Sequence, residues 1–287
     1  MKYVTFEVDG QAAAGVLEGD AVRICAEGPT ARVAIADAIA AGTLGDWPSR
    51  DGRRVDWADV TPLAPIPEPR SAIYCVGKNY HAHADEFHSS GFDSSSKESV
   101  PLHPVVFTKP ARSVVGPDAM VMGSLDPTGT VDYEGELAVV IGKPAFQVAQ
   151  SDAWDHVLGY VIVNDVTSRE LQRQHGQWTI GKGLDTFCPM GPWLVSADEA
   201  GDPAQMELVT RVNGEVRQKA SVSDLIFDIP TLIETMSRTM TLHPGDIIAT
   251  GTAAGVGIGF TPPKYLKAGD VVDVSITGLG QLRNEIG

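Results

Sequence analysis

Basic side chains are in short supply. The chain carries 22 Lys and Arg against 37 Asp and Glu, a formal net charge of −15. Neutralising a phosphate backbone needs clustered Lys and Arg, so a non-specific nucleic-acid binder is excluded. Cysteine is scarcer still, with only Cys25, Cys75 and Cys188. An odd, sparse set builds no disulfide framework and fits a reducing compartment. No run approaches the roughly 20 apolar residues of a membrane span. The opening MKYVTFEVDG has no apolar core of signal-peptide length. These absences lead to the expectation of a soluble, cytoplasmic protein with no membrane or nucleic-acid partner. Apolar residues make up 43% of the chain, enough for a sizeable core and too many for disorder.

Organisation follows from punctuation. Residues 2–8 alternate as a strand, and 15–17 and 22–25 follow as short strands around Gly19-Asp20. Residues 31–41 read as a short helix. Pro62, Pro65, Pro67 and Pro69 then fall within one short stretch, which suits neither helix nor central strand and marks a boundary. The expected division is a small N-terminal unit, 1–65, and a main domain, 70–287. In the second part, 72–76 reads as a strand, 79–87 as a helix and 105–108 as a strand. The Ser-rich stretch 89–100 reads as a mobile loop. Strands are expected at 131–141, 157–164, 208–212, 215–218, 247–250, 271–276 and near Leu282, with a helix around 148–156. Asn213-Gly214 supplies a hairpin turn. Ile229, Leu232, Ile233, Met236 and Met240 keep helical spacing behind Asp228 as N-cap and Pro230 just inside. The whole is mainly β with some α, an α+β fold.

The chemistry concentrates in a few places. Glu134 and Glu136 share one face of their strand, about 6.6 Å apart, and the residues after them are wholly apolar. Asp165 ends the next apolar strand. Two Glu and one Asp are hard oxygen ligands suited to Mg²⁺, Mn²⁺ or Ca²⁺; the alternative is the wet face of an edge strand. His83 and Glu86, three apart on a helix, can touch, and a carboxylate beside an imidazole makes it a better base. An ordinary surface helix, with His81 and His88 beside the pair, is the alternative. Lys182 lies between two glycines, and the turn Gly255-Val-Gly257 offers backbone N–H groups to a carboxylate. Cys75 and Cys188 sit in apolar surroundings as inert core residues.

Taken together, these motifs resemble the fumarylacetoacetate hydrolase family. Asp132-Tyr-Glu-Gly-Glu-Leu-Ala-Val-Val-Ile-Gly142 is similar to its metal-binding strand, and Asn164-Asp-Val-Thr-Ser-Arg-Glu-Leu-Gln172 to the motif that follows. Val76-Gly-Lys-Asn-Tyr80, Gly181-Lys-Gly-Leu-Asp-Thr-Phe-Cys-Pro-Met-Gly-Pro192, Arg211-Val-Asn-Gly-Glu215 and Ala249-Thr-Gly-Thr252 also match, in the family's order over about residues 70–287. The resemblance implies a mixed β-sandwich roll, Mg²⁺ or Mn²⁺ on Glu134, Glu136 and Asp165 (Ca²⁺ as a substitute), and a homodimer. It implies His83 and Glu86 as the acid–base pair in a lid, and Lys182 as the cation facing a developing enolate. Lys78, Tyr80, Arg169, Gln172 and Thr252 become substrate contacts. The implied activity is hydrolysis of a C–C bond in a 2,4-dioxo acid, an acylpyruvate or fumarylpyruvate. The alternative on the same site is decarboxylation or enol–keto isomerisation of a 2-oxo-dicarboxylate such as oxaloacetate or 2-hydroxyhepta-2,4-diene-1,7-dioate.

Overall fold

A large mixed sheet organises the computed structural model, which describes residues 1–92 and 99–287. From edge to edge its strands are Arg54–Asp56, Ala21–Glu27, Gln11–Glu18, Lys2–Val8, Cys188–Ser196, Val157–Asn164, Gly135–Ile141, Ile247–Thr252, Ile73–Gly77 and Val105–Lys109. Along this path only Ile247–Thr252 and Ile73–Gly77 run parallel. Lys2–Val8 pairs with Cys188–Ser196, so the N-terminal strands are hydrogen-bonded into the same sheet as the acidic strand. A second sheet of four antiparallel strands stacks on it: Glu215–Ser221, Glu207–Val212, Val271–Ile276 and Gly280–Glu285. This is the expected mixed α/β architecture dominated by sheets.

Alternation along Gly135–Ile141 explains why the centre is dry on both faces. Leu137, Val139 and Ile141 pack with Leu208, Val272, Val274 and Leu282 between the sheets. Ala138 and Val140 enter a second core with Val161, Val163, Met190 and the helix residues Ile35 and Ile39. A strand buried on both faces reads as an apolar run, and here that run holds the site at its start.

Four local readings change. The strand expected at 131–141 is broken into Val131–Asp132 and Gly135–Ile141. The Tyr133 N–H is taken by the Asp132 side chain and the Glu134 N–H by Asn164, so neither joins a ladder. The helix expected from Asn79 begins at His81, because the Asn79 side chain donates to Thr250 O and Phe227 O and accepts from Phe227 N. The helix around 148–156 is the 3₁₀ segment Gln150–His156. The helix behind Asp228 ends at Ser237, before Met240. Asp228 does cap it, accepting from Thr231 N at 2.9 Å, and Asn213 and Gly214 carry the positive φ angles of the hairpin. Half of the Ser-rich stretch, 93–98, lies outside the described residues.

Candidate active site

The acidic strand starts where two ladders end. Glu134 and Glu136 project there beside Asp165, which follows Val157–Asn164. One carboxylate oxygen from each lies within 4.8 Å of the others, and all three side chains are buried. Cations surround two of them. Lys182 Nζ donates to Glu134 Oε2 at 2.7 Å and to Asp165 Oδ2 at 2.6 Å. Arg169 Nη1 is 2.6 Å from Glu134 Oε1, and Lys109 Nζ is 2.6 Å from Asp165 Oδ1.

Glu136 is different. It is 1% exposed and accepts a hydrogen bond from Gly251 N. Among the described residues, no Lys or Arg lies within ion-pair distance of it. Burial, then Asp165, then Glu134 push its carboxyl well above the usual range. Burial acts the same way on Glu134, but Lys182 and Arg169 outweigh it and bring that carboxyl down to about 2. Burial also favours a neutral Lys182, yet Asp165 and Glu134 prevail and raise its pKa, so it stays an ammonium. A buried, uncompensated carboxylate is costly. A hard divalent cation relieves that cost, and an all-oxygen donor set suits Mg²⁺ or Mn²⁺. The residues present fit such an ion.

A narrow cavity opens on this cluster, with Lys78, His83, Arg169, Gln172, Lys182 and Thr252 among its lining. His83 Nδ1 faces Glu86 Oε2 at 3.3 Å, leaving Nε2 as the nitrogen for a ligand. The imidazole stacks on Phe87, which meets Trp178 edge-on, so the dyad helix His81–Ser89 is seated by apolar contact. His81 and His88 are exposed. Thr252 is fixed by donating to Gly135 O and accepting from Gln218 Nε2. Arg169 Nη1 reaches Gln172 Oε1 at 3.3 Å.

Tyr80 is placed elsewhere: it lines a second cavity with His81, Ala82, Lys219 and Asp224, not the one at the carboxylates. The turn after Thr252 does hold carboxylates, and they are the protein's own. Gly255 N donates to Glu86, and Gly257 N and Ile258 N donate to Asp132. The expected inert cysteines are buried, and burial pushes Cys188 up to about 12 and Cys75 well above its ordinary value.

Two participants escaped the sequence reading. Lys109, fully buried, pairs with Asp165 and donates to the backbone oxygens of Val166 and Lys182. Nothing about a lysine at a strand end distinguishes it from a surface one. Asp132 lies two residues before Glu134, and the Asp-x-Glu-x-Glu alternation was the available signal.

The C-terminal model of fumarylacetoacetate hydrolase matches residues 72–287. The chain is 53% identical over 224 residues to the oxaloacetate tautomerase YisK of Bacillus subtilis, covering 78% of this chain and 72% of that protein. Among solved structures it is similar to a fumarylacetoacetate hydrolase from psychrophilic Exiguobacterium antarcticum, with 42% identity, a TM-score of 0.85, and 100% and 99% of the two chains covered. It is also similar to maleylpyruvate hydrolase from Sphingobium sp. SYK-6, solved with manganese(II) and pyruvate, with 32% identity, a TM-score of 0.78, and 100% and 98% covered. The site built on a buried acidic triad and the match over three-quarters of the sequence lead to one conclusion: the chain belongs to the fumarylacetoacetate hydrolase family.

Proposed function

We propose that this enzyme is a divalent-metal-dependent tautomerase of a small 2-oxo acid of the oxaloacetate class. The observation that carries the reading is His83, which is paired with Glu86 and lines the cavity beside Lys182, Glu134 and Glu136. The relative at 53% identity is named for that activity.

Glu134, Glu136 and Asp165 would hold Mg²⁺ or Mn²⁺, which when bound supplies polarisation of the 2-oxo group. His83, oriented through Nδ1 by Glu86, takes a proton from the carbon beside the oxo group. The C–H electron pair becomes the C=C bond of the enol, and the imidazolium returns its proton to the oxygen. Lys182, kept cationic by its carboxylate neighbours, faces the charge that develops on that oxygen. Lys78, Arg169, Gln172 and Thr252 line the same cavity and position the acid's carboxylates. Catalysis belongs to residues 70–287, with 1–65 as the small N-terminal unit.

Hydrolysis of an acylpyruvate is the second reading, favoured by the likeness to a maleylpyruvate hydrolase solved with pyruvate. There the dyad would deprotonate a water that attacks the distal carbonyl, and the broken C–C bond would leave a pyruvate enolate beside Lys182. Assaying enol oxaloacetate, acylpyruvates and fumarylpyruvate with Mg²⁺ or Mn²⁺, and identifying products by mass, separates the two. Accelerated enol–keto conversion without loss of carbon is expected; fumarate and pyruvate from fumarylpyruvate, with no tautomerisation, would replace the first reading by the second.

A homodimer is also proposed. The family resemblance is what motivates it. Light scattering should return twice the 30.4 kDa chain mass; a mass of one chain at micromolar concentration would contradict it.

A further inference from the structure

Asp132 is fully buried and both of its carboxylate oxygens are used. Its Oδ1 accepts from Tyr133 N at 2.9 Å and Gly257 N at 2.6 Å. Its Oδ2 accepts from Ile258 N at 3.1 Å and from Arg169 Nε at 2.9 Å. Arg169 in turn holds Glu134 at 2.6 Å. On the far side of the same turn, Gly255 N donates to Glu86 at 3.0 and 3.2 Å, while Gly255 O accepts from the Tyr133 hydroxyl at 2.7 Å. A chain of buried and part-buried polar contacts therefore runs from Glu86 in the dyad helix, through the turn 255–258, to Asp132, Arg169 and Glu134.

We propose that Asp132 is a positioning residue that couples the seating of the dyad helix to the arrangement of Glu134 at the cation site. It holds the turn and the guanidinium in one geometry. Seating Glu86 on Gly255 thereby favours the Arg169 and Glu134 positions seen here, and the reverse. The inference rests on the proposed roles of Glu134 as a metal ligand and Glu86 as part of the dyad. A coupling of this kind is reciprocal: if a cation on Glu134 seats the helix, a seated helix raises cation affinity by the same factor.

Glycine 259 gives a charge-neutral way to test it. A β-carbon there would overlap the Glu86 carboxylate, so Gly259→Ala pushes Glu86 off Gly255 without touching the triad. Residue 259 is exposed, so the fold should tolerate the change. Mn²⁺ affinity by paramagnetic resonance and amide hydrogen exchange over 81–89 would be measured on wild type, Gly259→Ala and Asp132→Asn. In wild type, Mn²⁺ should bind and slow exchange of the helix. In Gly259→Ala, the helix should exchange faster and Mn²⁺ affinity should fall about 5-fold or more. In Asp132→Asn, Mn²⁺ should bind without protecting the helix. Unchanged Mn²⁺ affinity in a Gly259→Ala protein with a loosened helix would overturn the coupling while leaving the metal site standing. So would Mn²⁺ binding to wild type without protection of 81–89. Wild type that binds no Mn²⁺ would overturn the metal reading and the coupling together. If Asp132→Asn fails to fold, the Gly259→Ala comparison decides alone.

Discussion

Glu136 shares a dry strand end with two other carboxylates and has one backbone N–H for company. Without a cation it is the costliest charge in the site. Glu136→Gln should therefore leave the metal-free protein at least as stable as wild type while abolishing stabilisation by Mn²⁺. For wild type that stabilisation is about 2.7 kcal/mol at 100 times Kd. Thermal melts with EDTA and with Mn²⁺ check this; a variant that loses stability without metal and still responds to Mn²⁺ would contradict it. The cysteines make a second test. Burial raises all three thiols, and a raised pKa leaves the thiol protonated and unreactive at pH 8. A chromogenic disulfide reagent at that pH should leave Cys75 and Cys188 untouched in the native protein and titrate all three after denaturation; rapid native reaction of three would be the wrong outcome. The triad was legible because Glu134 and Glu136 alternate and Asp165 ends the next apolar run, and the family motifs then favoured a cation site over a wet edge strand. Lys109 and Asp132 were not, since their roles come from residues distant in sequence: Asp165 and Lys182 for one, Arg169 and the turn 255–258 for the other.

At the level of elements, the helix Ile229–Ser237 shows how far local signals carry. Asp228 accepts from both the backbone N and the hydroxyl of Thr231, and Ile229, Leu232, Ile233 and Met236 are buried. Asp228→Ala should cost about 1 kcal/mol, read as a shift in urea midpoint with unchanged slope; no shift would mean that packing alone ends the helix. Strands 2–8, 157–164 and 271–276 were equally plain, each being an apolar or alternating run between turns. Cys188–Ser196 was not. It pairs with Lys2–Val8 on one side and Val157–Asn164 on the other, although Pro189 and Pro192 argue against a central strand. Register shifts in its pairing with Val157–Asn164 accommodate what the residue types disfavour. The break at Tyr133 was invisible for a related reason: side chains of Asp132 and Asn164 capture the N–H groups a continuous strand would have used.

The whole molecule is an enzyme of the fumarylacetoacetate hydrolase family that acts on small acids, with its site where the central strands of the large sheet end. Among the described residues no helix is long and apolar enough to cross a membrane. The N-terminal strands extend the sheet through Lys2–Val8, far along it from the dyad helix. In the proposed reaction the His83–Glu86 pair moves the proton while the acidic triad holds the cation. The most direct test is the rate of enol-to-keto conversion of oxaloacetate by His83→Ala with Mn²⁺ demonstrably bound, beside wild type and His81→Ala. A loss of about 10²–10⁴-fold is expected for His83→Ala, with no comparable loss for His81→Ala and removal of wild-type activity by EDTA. Undiminished turnover by His83→Ala, or full wild-type activity in EDTA, would contradict it.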